Sequence, residues 1–296
     1  MKNKKVNAGW GVFWPAPGKL NLMLRIVGRR ADGYHSLQTV FQFIDRCDQL
    51  SFNVSSDGTV YLKSPLPGVP EQEDLTVRAA NLLKAESGCE QGVEISVNKV
   101  LPMGGGLGGG SSDAATTLVV LNRLWGLGYS ESELMRMGLS LGADVPVFIG
   151  GHSAWAEGVG EQLEALTLVE PWYVIVVPDC HVSTIDVFNA ENLTRDSKSV
   201  TISDFMSGRH RNDCLAVVEE MYPPVKVAID ALSEYGEARL TGTGACVYLA
   251  LDSKSSATKV VRDLSSHYQA YAVKGNNRSP LHEKMRNVLG GGAVDR

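Results

Sequence analysis

The seven positions from Gly104 to Gly110 hold six glycines, and a run beginning Ser-Ser-Asp follows them at once. Each glycine costs folding about 0.5–1 kcal/mol in backbone freedom relative to alanine. Bare backbone is useful where it must approach a ligand, and the N–H groups at a helix start attract anions. A flexible linker would not be bounded so tightly by a strand and a helix. The segment therefore predicts a phosphate-binding loop.

The common classes of phosphate loop do not fit this one. The spacing G-x-G-x-x-G occurs over residues 104–109, but a run so rich in glycine satisfies it almost automatically. A dinucleotide site would also want a fully buried strand before it, whereas "VEISVNK" at 93–99 alternates apolar and polar residues. The sequence has no G-x-x-x-x-G-K-[ST], and "HRND" at 210–213 lacks the aspartate and downstream asparagine of a protein-kinase catalytic loop.

Two charged residues stand in positions that suit catalysis. Lys19 lies in the otherwise apolar strand "GKLNLML", where a lone buried ammonium would be expensive. Asp144 lies in "LGADVP", just after a predicted helix end at Gly142, where a carboxylate can project into a cleft. We expect Lys19 to pair with Asp144 and to keep that carboxylate ionised. Taken alone, Asp144 is better explained by a helix-capping or turn role.

The elements that must position these residues alternate between strand and helix patterns. Helices are predicted over 74–88, 111–126, 130–142 and 253–266, and within 212–236. Strands are predicted over 20–28, 38–45, 50–54, 93–99, 171–179, 238–241, 246–251 and 268–273. Predicted structure is sparsest around 160–170. We therefore expect an N-terminal ATP-binding domain (1–164), a C-terminal domain (165–285) and a flexible tail (286–296).

Composition narrows the class of protein. The chain has 296 residues, 44% hydrophobic and 21% charged, which is typical of a globular protein. Its net charge of −5 gives no reason to expect nucleic acid or an anionic membrane as partner. Five scattered cysteines without C-x-x-C spacing argue against a zinc site and favour a reducing, cytoplasmic compartment. No apolar run reaches the length of a membrane span.

Three ordered motifs resemble those of one enzyme family. "PMGGGLGGGSSDAA" resembles the ATP-phosphate loop of the galactokinase, homoserine kinase, mevalonate kinase and phosphomevalonate kinase (GHMP) superfamily. "PAPGKLNL" (15–22) is similar to its N-terminal motif, and "LTGTGACVYL" (240–249) to its C-terminal glycine motif. The resemblance implies an α+β fold of two domains, with the glycine-rich ATP loop in the first, an α/β substrate domain second, and the active site in the cleft.

The resemblance also implies a substrate. "KLNLMLRIVGRRADGYHSLQTVFQFID" and "GADVPVFIGGHSAWAEGVGE" are similar to a branch that uses ATP and Mg²⁺ to phosphorylate a cytidine-diphospho sugar alcohol. That branch serves non-mevalonate isoprenoid precursor biosynthesis. The rivals are a sibling kinase of the mevalonate or homoserine type and a non-catalytic nucleotide sensor. Neither rival explains the residues as well. The substrates of a mevalonate or homoserine kinase have no aromatic base for the "DGYH" loop to bind, and a nucleotide sensor needs no lysine–aspartate pair.

Carried onto this chain, the resemblance assigns the site residue by residue. Lys19 and Asp144 are catalytic, with Asp144 the base toward the substrate hydroxyl. Tyr34 and Phe188 stack on the cytosine, while His35, Thr184 and Asn21 are polar substrate contacts. Gly242 and Gly244 let the C-terminal loop approach the phosphates or support the first loop. ATP is bound by Pro102, Met103, Gly104, Gly105, Gly106, Leu107, Gly108, Gly109, Gly110, Ser111 and Ser112.

Ser111 and Ser112 are expected to cap the helix that follows the loop, with a phosphate or magnesium contact as an equal possibility. For Asp113 a structural role at the helix start is the better expectation. No residue is assigned to a metal with certainty, and the sequence does not indicate an oligomeric state.

Overall fold

A computed structural model describes residues 9–31 and 33–289 of the chain, and these residues form ten strands and ten α-helices. The strands are β1 (Trp14–Arg29), β2 (His35–Ser55), β3 (Val60–Leu62), β4 (Gly92–Asn98), β5 (Ala154–Glu157), β6 (Gln162–Ala165), β7 (Trp172–Val177), β8 (Arg239–Leu240), β9 (Val247–Leu251) and β10 (Gln269–Asn276). The helices are α1 (Leu75–Ser87), α2 (Gly109–Leu124), α3 (Glu131–Leu141), α4 (Val145–Gly150), α5 (Thr184–Asn189), α6 (Ile202–Met206), α7 (Leu215–Met221), α8 (Pro223–Ser233), α9 (Lys254–Leu264) and α10 (Pro280–Leu289).

Within the described residues, a single hydrogen-bonded sheet of ten strands runs through both halves of the chain. Its main order is β3-β4-β2-β10-β7-β9-β8, while β1 and β5 pair with β2 and β6 pairs with β5. The halves join where β10 pairs with β2, with Gly275 opposite Ile44 and Asn276 opposite Phe43. Because β1 and β2 carry the predicted catalytic lysine and aromatic loop, this junction places the second half of the chain beside them.

The two long strands differ from their prediction. The stretches predicted separately over 38–45 and 50–54 form one strand, β2, because the polar residues between them continue to pair with the start of β1. Asp48 stands opposite Ala16 in that pairing and is fully buried. A pattern of alternating apolar and polar residues does not predict a buried aspartate. The sequence therefore suggests a break between residues 45 and 50, where the strand in fact continues.

Most predicted helices are present and begin as their capping residues indicate. Asp74 caps α1 by accepting from the N–H groups of Thr76 and Val77, and Gly88 ends it. Ser130 and Glu133 form the predicted capping box of α3. The prediction missed α10, and the predicted tail over 286–296 is wrong for 286–289, which are helical. The rest of that tail, 290–296, lies outside the described residues.

Two large apolar cores underlie the two halves. The first lies against β1, β2 and β4 and includes Trp14, Phe41 and Phe52, whereas the second contains Val174, Val247 and neighbours. Leu281 of α10 packs into the first core, so the end of the described chain returns to the N-terminal half. The boundary near 164 stays a prediction. None of the helices in the described ranges is long and apolar enough to cross a membrane.

Candidate active site

Two shifts in the register of β1 direct its polar side chains toward the glycine loop. The pairing of β1 with β2 shifts register between Pro17 and Lys19 and again between Asn21 and Met23. Such bulges bend a strand and redirect its side chains. The backbone N–H of Lys19 donates to the carbonyl of Leu107 in the glycine loop, at 2.9 Å. The strand thereby delivers Lys19 and Asn21 to the loop.

The ammonium of Lys19 is buried and fully paired. Its side chain is 4% exposed, and Nζ lies 3.1 Å from Oδ2 of Asp144. Nζ also donates to Oδ1 of Asn21 at 2.5 Å and to the carbonyl of Gly106 at 3.0 Å. Since an ammonium has three N–H donors, these three oxygens satisfy it. The predicted pairing of Lys19 with Asp144 is therefore present, and it offsets the cost of burying the lysine.

Asp144 stands at the N-cap position of α4, but its side chain makes no capping hydrogen bond. One carboxylate oxygen instead contacts Lys19, and the side chain remains 33% exposed. The capping alternative raised by the sequence is thus not the one adopted. A carboxylate held on one side and open on the other is suited to receive a proton from a bound hydroxyl.

Asn21 is fixed by a chain of hydrogen bonds. Its amide Nδ2 donates to Oγ1 of Thr39 at 2.8 Å, and that hydroxyl donates to the carbonyl of Met23 at 2.5 Å. The backbone N–H of Asn21 donates to Oγ1 of Thr241, at 3.0 Å. Thr39 and Thr241 were not predicted. Their signal is weak in sequence, because a threonine in a strand is usually explained by strand preference alone.

The glycine loop turns its carbonyl groups toward the protein. Gly104 and Gly105 accept from the backbone N–H groups of Ala245 and Cys246, at 3.3 and 3.1 Å. The next two carbonyls, of Gly106 and Leu107, accept from Lys19. With four successive carbonyls engaged, the opposite edge of the loop backbone can offer N–H groups to the cavity, as an anion site requires.

Gly106 shows why the loop needs bare backbone. Its φ is +76°, and a Cβ built there would collide with the carbonyl oxygens of Thr241 and Gly244. The C-terminal glycine loop therefore packs directly against the first loop. Of the two support glycines predicted, Gly242 lines the cavity, whereas Gly244 lies behind the first loop.

The helix after the loop begins earlier than expected. Gly108, with a φ of +72°, is the N-cap of α2, and Gly109 and Gly110 already belong to the helix. The predicted capping role of Ser111 and Ser112 is therefore wrong. The first-turn amides still lack carbonyl partners within the helix, so the site keeps its affinity for anions. The positive φ of Gly108 makes the early start possible.

One cavity of about 810 Å³ connects these features. Among the described residues that line it are both predicted catalytic residues and every predicted ligand-binding residue except Ser112. Ser112 is fully buried beneath the helix start, and its hydroxyl has no hydrogen-bond partner. The wall also includes residues that were not predicted: Leu24, Leu37, Leu66, Val69, Glu73, Leu75, Lys99, Val159, Ile185 and Thr243.

The far end of the cavity has an aromatic wall. The rings of His35 and Phe188 stack with centroids 5.1 Å apart and 22° between their planes, a contact the sequence did not predict. Tyr34 is 66% exposed beside them. Oγ1 of Thr184 lies 2.9 Å from Oγ1 of Thr243, which ties α5 to the C-terminal glycine loop. The structure thus brings the four predicted base-binding residues to one region.

Lys99 is a charged residue at the cavity that sequence analysis missed. Its Nζ contacts Oδ2 of Asp48 and lies 2.7 Å from Oδ2 of Asp113 on α2. Burial raises the pKa of Asp113 to about 8; the nearby Asp48 adds to the rise, and Lys99 opposes it. Burial also works to lower the pKa of Lys99, but its two carboxylates outweigh it and raise the pKa. The available signal was a lysine just ahead of a phosphate loop.

Comparison with known proteins agrees with this architecture. Residues 74–152 match the model of the GHMP kinases N terminal domain, and residues 194–270 match that of the GHMP kinases C terminal. The chain belongs to the GHMP kinase family, and it is an ATP-dependent small-molecule kinase.

Its relatives place it within that family. The 4-diphosphocytidyl-2-C-methyl-D-erythritol kinase of Methylococcus capsulatus is 57% identical over 272 residues, 92% of this chain and 94% of that protein. The protein of the same name from Nitrosococcus oceani is 57% identical over 91% of this chain and 96% of its own. A crystal structure of 4-(cytidine 5'-diphospho)-2C-methyl-D-erythritol kinase superposes with a TM-score of 0.79 at 29% identity, covering 90% of this chain and 99% of that one.

Proposed function

We propose that the protein transfers the γ-phosphoryl group of ATP to the 2-hydroxyl of 4-(cytidine 5'-diphospho)-2-C-methyl-D-erythritol. The observation that carries the proposal is the 3.1 Å contact between Lys19 and Asp144 in a cavity that holds the glycine loop and the aromatic wall. The names of the relatives support the same substrate. Mevalonate and homoserine lack an aromatic base, so the wall formed by Tyr34, His35 and Phe188 favours the cytidine substrate over both.

The phosphate end of the reaction uses backbone groups. The amides of the glycine loop and of the first turn of α2 bind the ATP phosphates, aided by the positive end of the helix dipole. The carbonyls of Gly104 and Gly105, held by the C-terminal loop, keep the loop in the conformation that presents those amides. Positioning supplies most of the catalysis in phosphoryl transfer, because the protein does little covalent chemistry there.

Asp144 and Lys19 act on the acceptor hydroxyl. The carboxylate of Asp144 accepts the proton as the hydroxyl oxygen bonds to the γ-phosphorus, and the bond from that phosphorus to the β–γ bridging oxygen breaks to release ADP. Lys19 holds the carboxylate in place and offsets the negative charge that builds on the transferred group. Asn21 orients Lys19 through its Oδ1, and substrate contact remains its proposed second role.

Mg²⁺ accompanies ATP in this proposal and would neutralise charge on its phosphates. The described residues contain no cluster of three His, Cys, Asp or Glu side chains that could hold a metal. A kinase Mg²⁺ usually takes one or two carboxylates together with phosphates and waters, so such a cluster is not required. Ser111, which lines the cavity in the first turn of α2, is the group that would hold it together with the ATP phosphates.

The cytidine end of the substrate lies at the aromatic wall. Tyr34 and Phe188 stack on the two faces of the base, and His35, whose ring packs against that of Phe188, contacts the edge of the base. We place the reaction in the cytoplasm and in non-mevalonate isoprenoid precursor biosynthesis. The compartment is supported by the five unpaired cysteines, Cys47, Cys89, Cys180, Cys214 and Cys246.

A coupled assay of ADP release tests this proposal. With 4-(cytidine 5'-diphospho)-2-C-methyl-D-erythritol, ADP should form in a 1:1 ratio with a product that carries one added phosphate on C2. Mevalonate and homoserine should give only the background rate. Product phosphorylated at another hydroxyl, or faster turnover of mevalonate, would contradict the assignment.

A further inference from the structure

Arg195 joins the two sides of the aromatic wall. It follows α5, and its NH2 donates to the carbonyls of Phe188 and Ala190, at 2.9 and 2.7 Å. Its NH1 donates to the carbonyl of Leu193 at 3.2 Å. Its Nε donates to Nε2 of His35, also at 3.2 Å, across 160 residues of sequence. One guanidinium thus fixes the end of α5 and the histidine that begins β2 together.

The contact with Arg195 dictates the protonation of His35. A guanidinium can only donate, so Nε2 of His35 must accept and cannot carry a proton. The neutral ring then has its single N–H on Nδ1. Burial lowers the pKa of His35, and the positive charges of Arg195, which follows α5, and of Arg29, at the end of β1, lower it further. The imidazole is therefore held neutral and in one tautomer.

We propose that Arg195 is a positioning residue for recognition of the base, setting His35 as an Nδ1–H donor and locking it against Phe188. This inference rests on the proposed function and deepens it. A fixed donor pairs with an acceptor, and the ring N3 of cytosine is an acceptor whereas N3 of uracil carries a hydrogen. Arg195 thereby selects a cytidine over a uridine diphospho substrate, although it does not touch the base itself.

The first part of the proposal is that Arg195 sets the tautomer of His35. The ¹⁵N NMR signals of the histidine rings in the substrate-free protein test it. In the wild type, His35 should show a protonated Nδ1 and an unprotonated Nε2. In Arg195→Met, which keeps much of the side-chain length without donors, the Nε2–H tautomer should appear and the pKa of His35 should rise. Arg195→Lys provides a second variant that keeps the charge but cannot reach three carbonyls and a ring nitrogen at once. An unchanged tautomer and pKa in both folded variants would overturn the proposal.

The second part of the proposal is that Arg195 contributes to selection of the cytidine substrate. Steady-state kinetics test it. Arg195→Met should raise KM for the cytidine substrate about 10- to 100-fold, as expected for loss of a well-placed hydrogen bond. KM for ATP should stay within about twofold, and the preference for the cytidine over the uridine substrate should fall. Arg262→Met, at an exposed position on α9, is the matched control and should change neither. An equal rise in KM for ATP, or an unchanged preference, would contradict the role.

The two parts also separate this inference from the proposed function. If the wild type does not phosphorylate the cytidine substrate, the proposed function fails, and base selection by Arg195 fails with it. The tautomer of His35 in the substrate-free protein is independent of turnover and still decides whether Arg195 sets that ring. If turnover is normal but the tautomer does not depend on Arg195, the inference fails alone.

Discussion

Nζ of Lys19 lies 3.1 Å from Oδ2 of Asp144, although one residue comes from the first long strand and the other from the start of a short helix. The pair is stabilised by its surroundings. Asn21 and Gly106 take the remaining donors of the ammonium, so the lysine is satisfied before any substrate enters. The carboxylate keeps its free side for the substrate. This arrangement predicts which changes will impair chemistry and which will impair binding.

Asp144→Asn should reduce kcat by about 10²–10⁴-fold and leave the Kd for ATP nearly unchanged. The amide oxygen of asparagine can still accept from Lys19, so the geometry persists while the proton acceptor is lost. Stopped-flow or steady-state ADP release measures kcat, and nucleotide titration measures Kd. Asp230→Asn, at an exposed position where the carboxylate pairs with Lys226, is the control and should behave as wild type. Normal kcat in Asp144→Asn would remove this residue from the mechanism.

Tyr34→Ala should raise KM for the cytidine substrate about 5- to 150-fold, because stacking on a base contributes about 1–3 kcal/mol. The side chain is largely exposed, so thermal stability should change little. Initial rates at varied substrate and fixed ATP give the effect. Tyr61→Ala, on β3 and outside the cavity, is the matched control. A rise in KM for ATP instead would show that Tyr34 belongs to the nucleotide site.

Gly106→Ala and Gly126→Ala separate backbone strain from loop packing. Both glycines have positive φ, +76° and +67°, but only at Gly106 would a Cβ meet other atoms within 4 Å. Gly126→Ala should lower the free energy of unfolding by about 1–2 kcal/mol and leave ATP binding intact. Gly106→Ala should cost more and weaken ATP binding as well. Urea unfolding and ATP titration measure both. Equal behaviour of the two variants would mean that the loop-to-loop contact is unimportant.

Asp113→Asn should change how stability depends on pH. The pKa of Asp113 is about 8 in the folded chain against an ordinary value of 3.8, so the folded state binds the extra proton between these values. The contribution of this group to stability is therefore present below about pH 4 and is lost as pH rises toward 8. The variant should match the wild type near pH 3.5, gain on it as pH rises, and exceed its Tm near pH 9. A wild-type advantage that grows with pH would contradict this.

Local chemistry made much of the nucleotide half predictable from sequence. The capping residues of α1 and α3 act through their neighbours in the chain, and the run of glycines and the lysine in an apolar strand are unusual enough in their local sequence to be noticed. The early start of α2 was not predictable by the same reasoning, because serines are better caps than glycine in general. Here the positive φ of Gly108 decides the matter, and a Cβ at that position would also strike the ring of Phe148.

The remaining parts depend on distant partners. Arg195 and His35 meet only when β2 and the C-terminal half are assembled, and Lys99 and Asp48 meet only when β4 pairs with β2. The periodicity of apolar residues in the sequence gives no information about contacts between such distant residues. Family resemblance supplied Tyr34, His35 and Phe188, which composition and spacing would have left as ordinary loop or core residues. The stacking of His35 on Phe188 appears only in the folded chain.

The most direct test of the account is ADP release by wild type and Asp144→Asn, each offered 4-(cytidine 5'-diphospho)-2-C-methyl-D-erythritol or mevalonate at saturating ATP. Turnover should be rapid only for the wild type with the cytidine substrate, and the variant should lose it while still binding ATP. Comparable turnover of mevalonate, or full activity of Asp144→Asn, would contradict it.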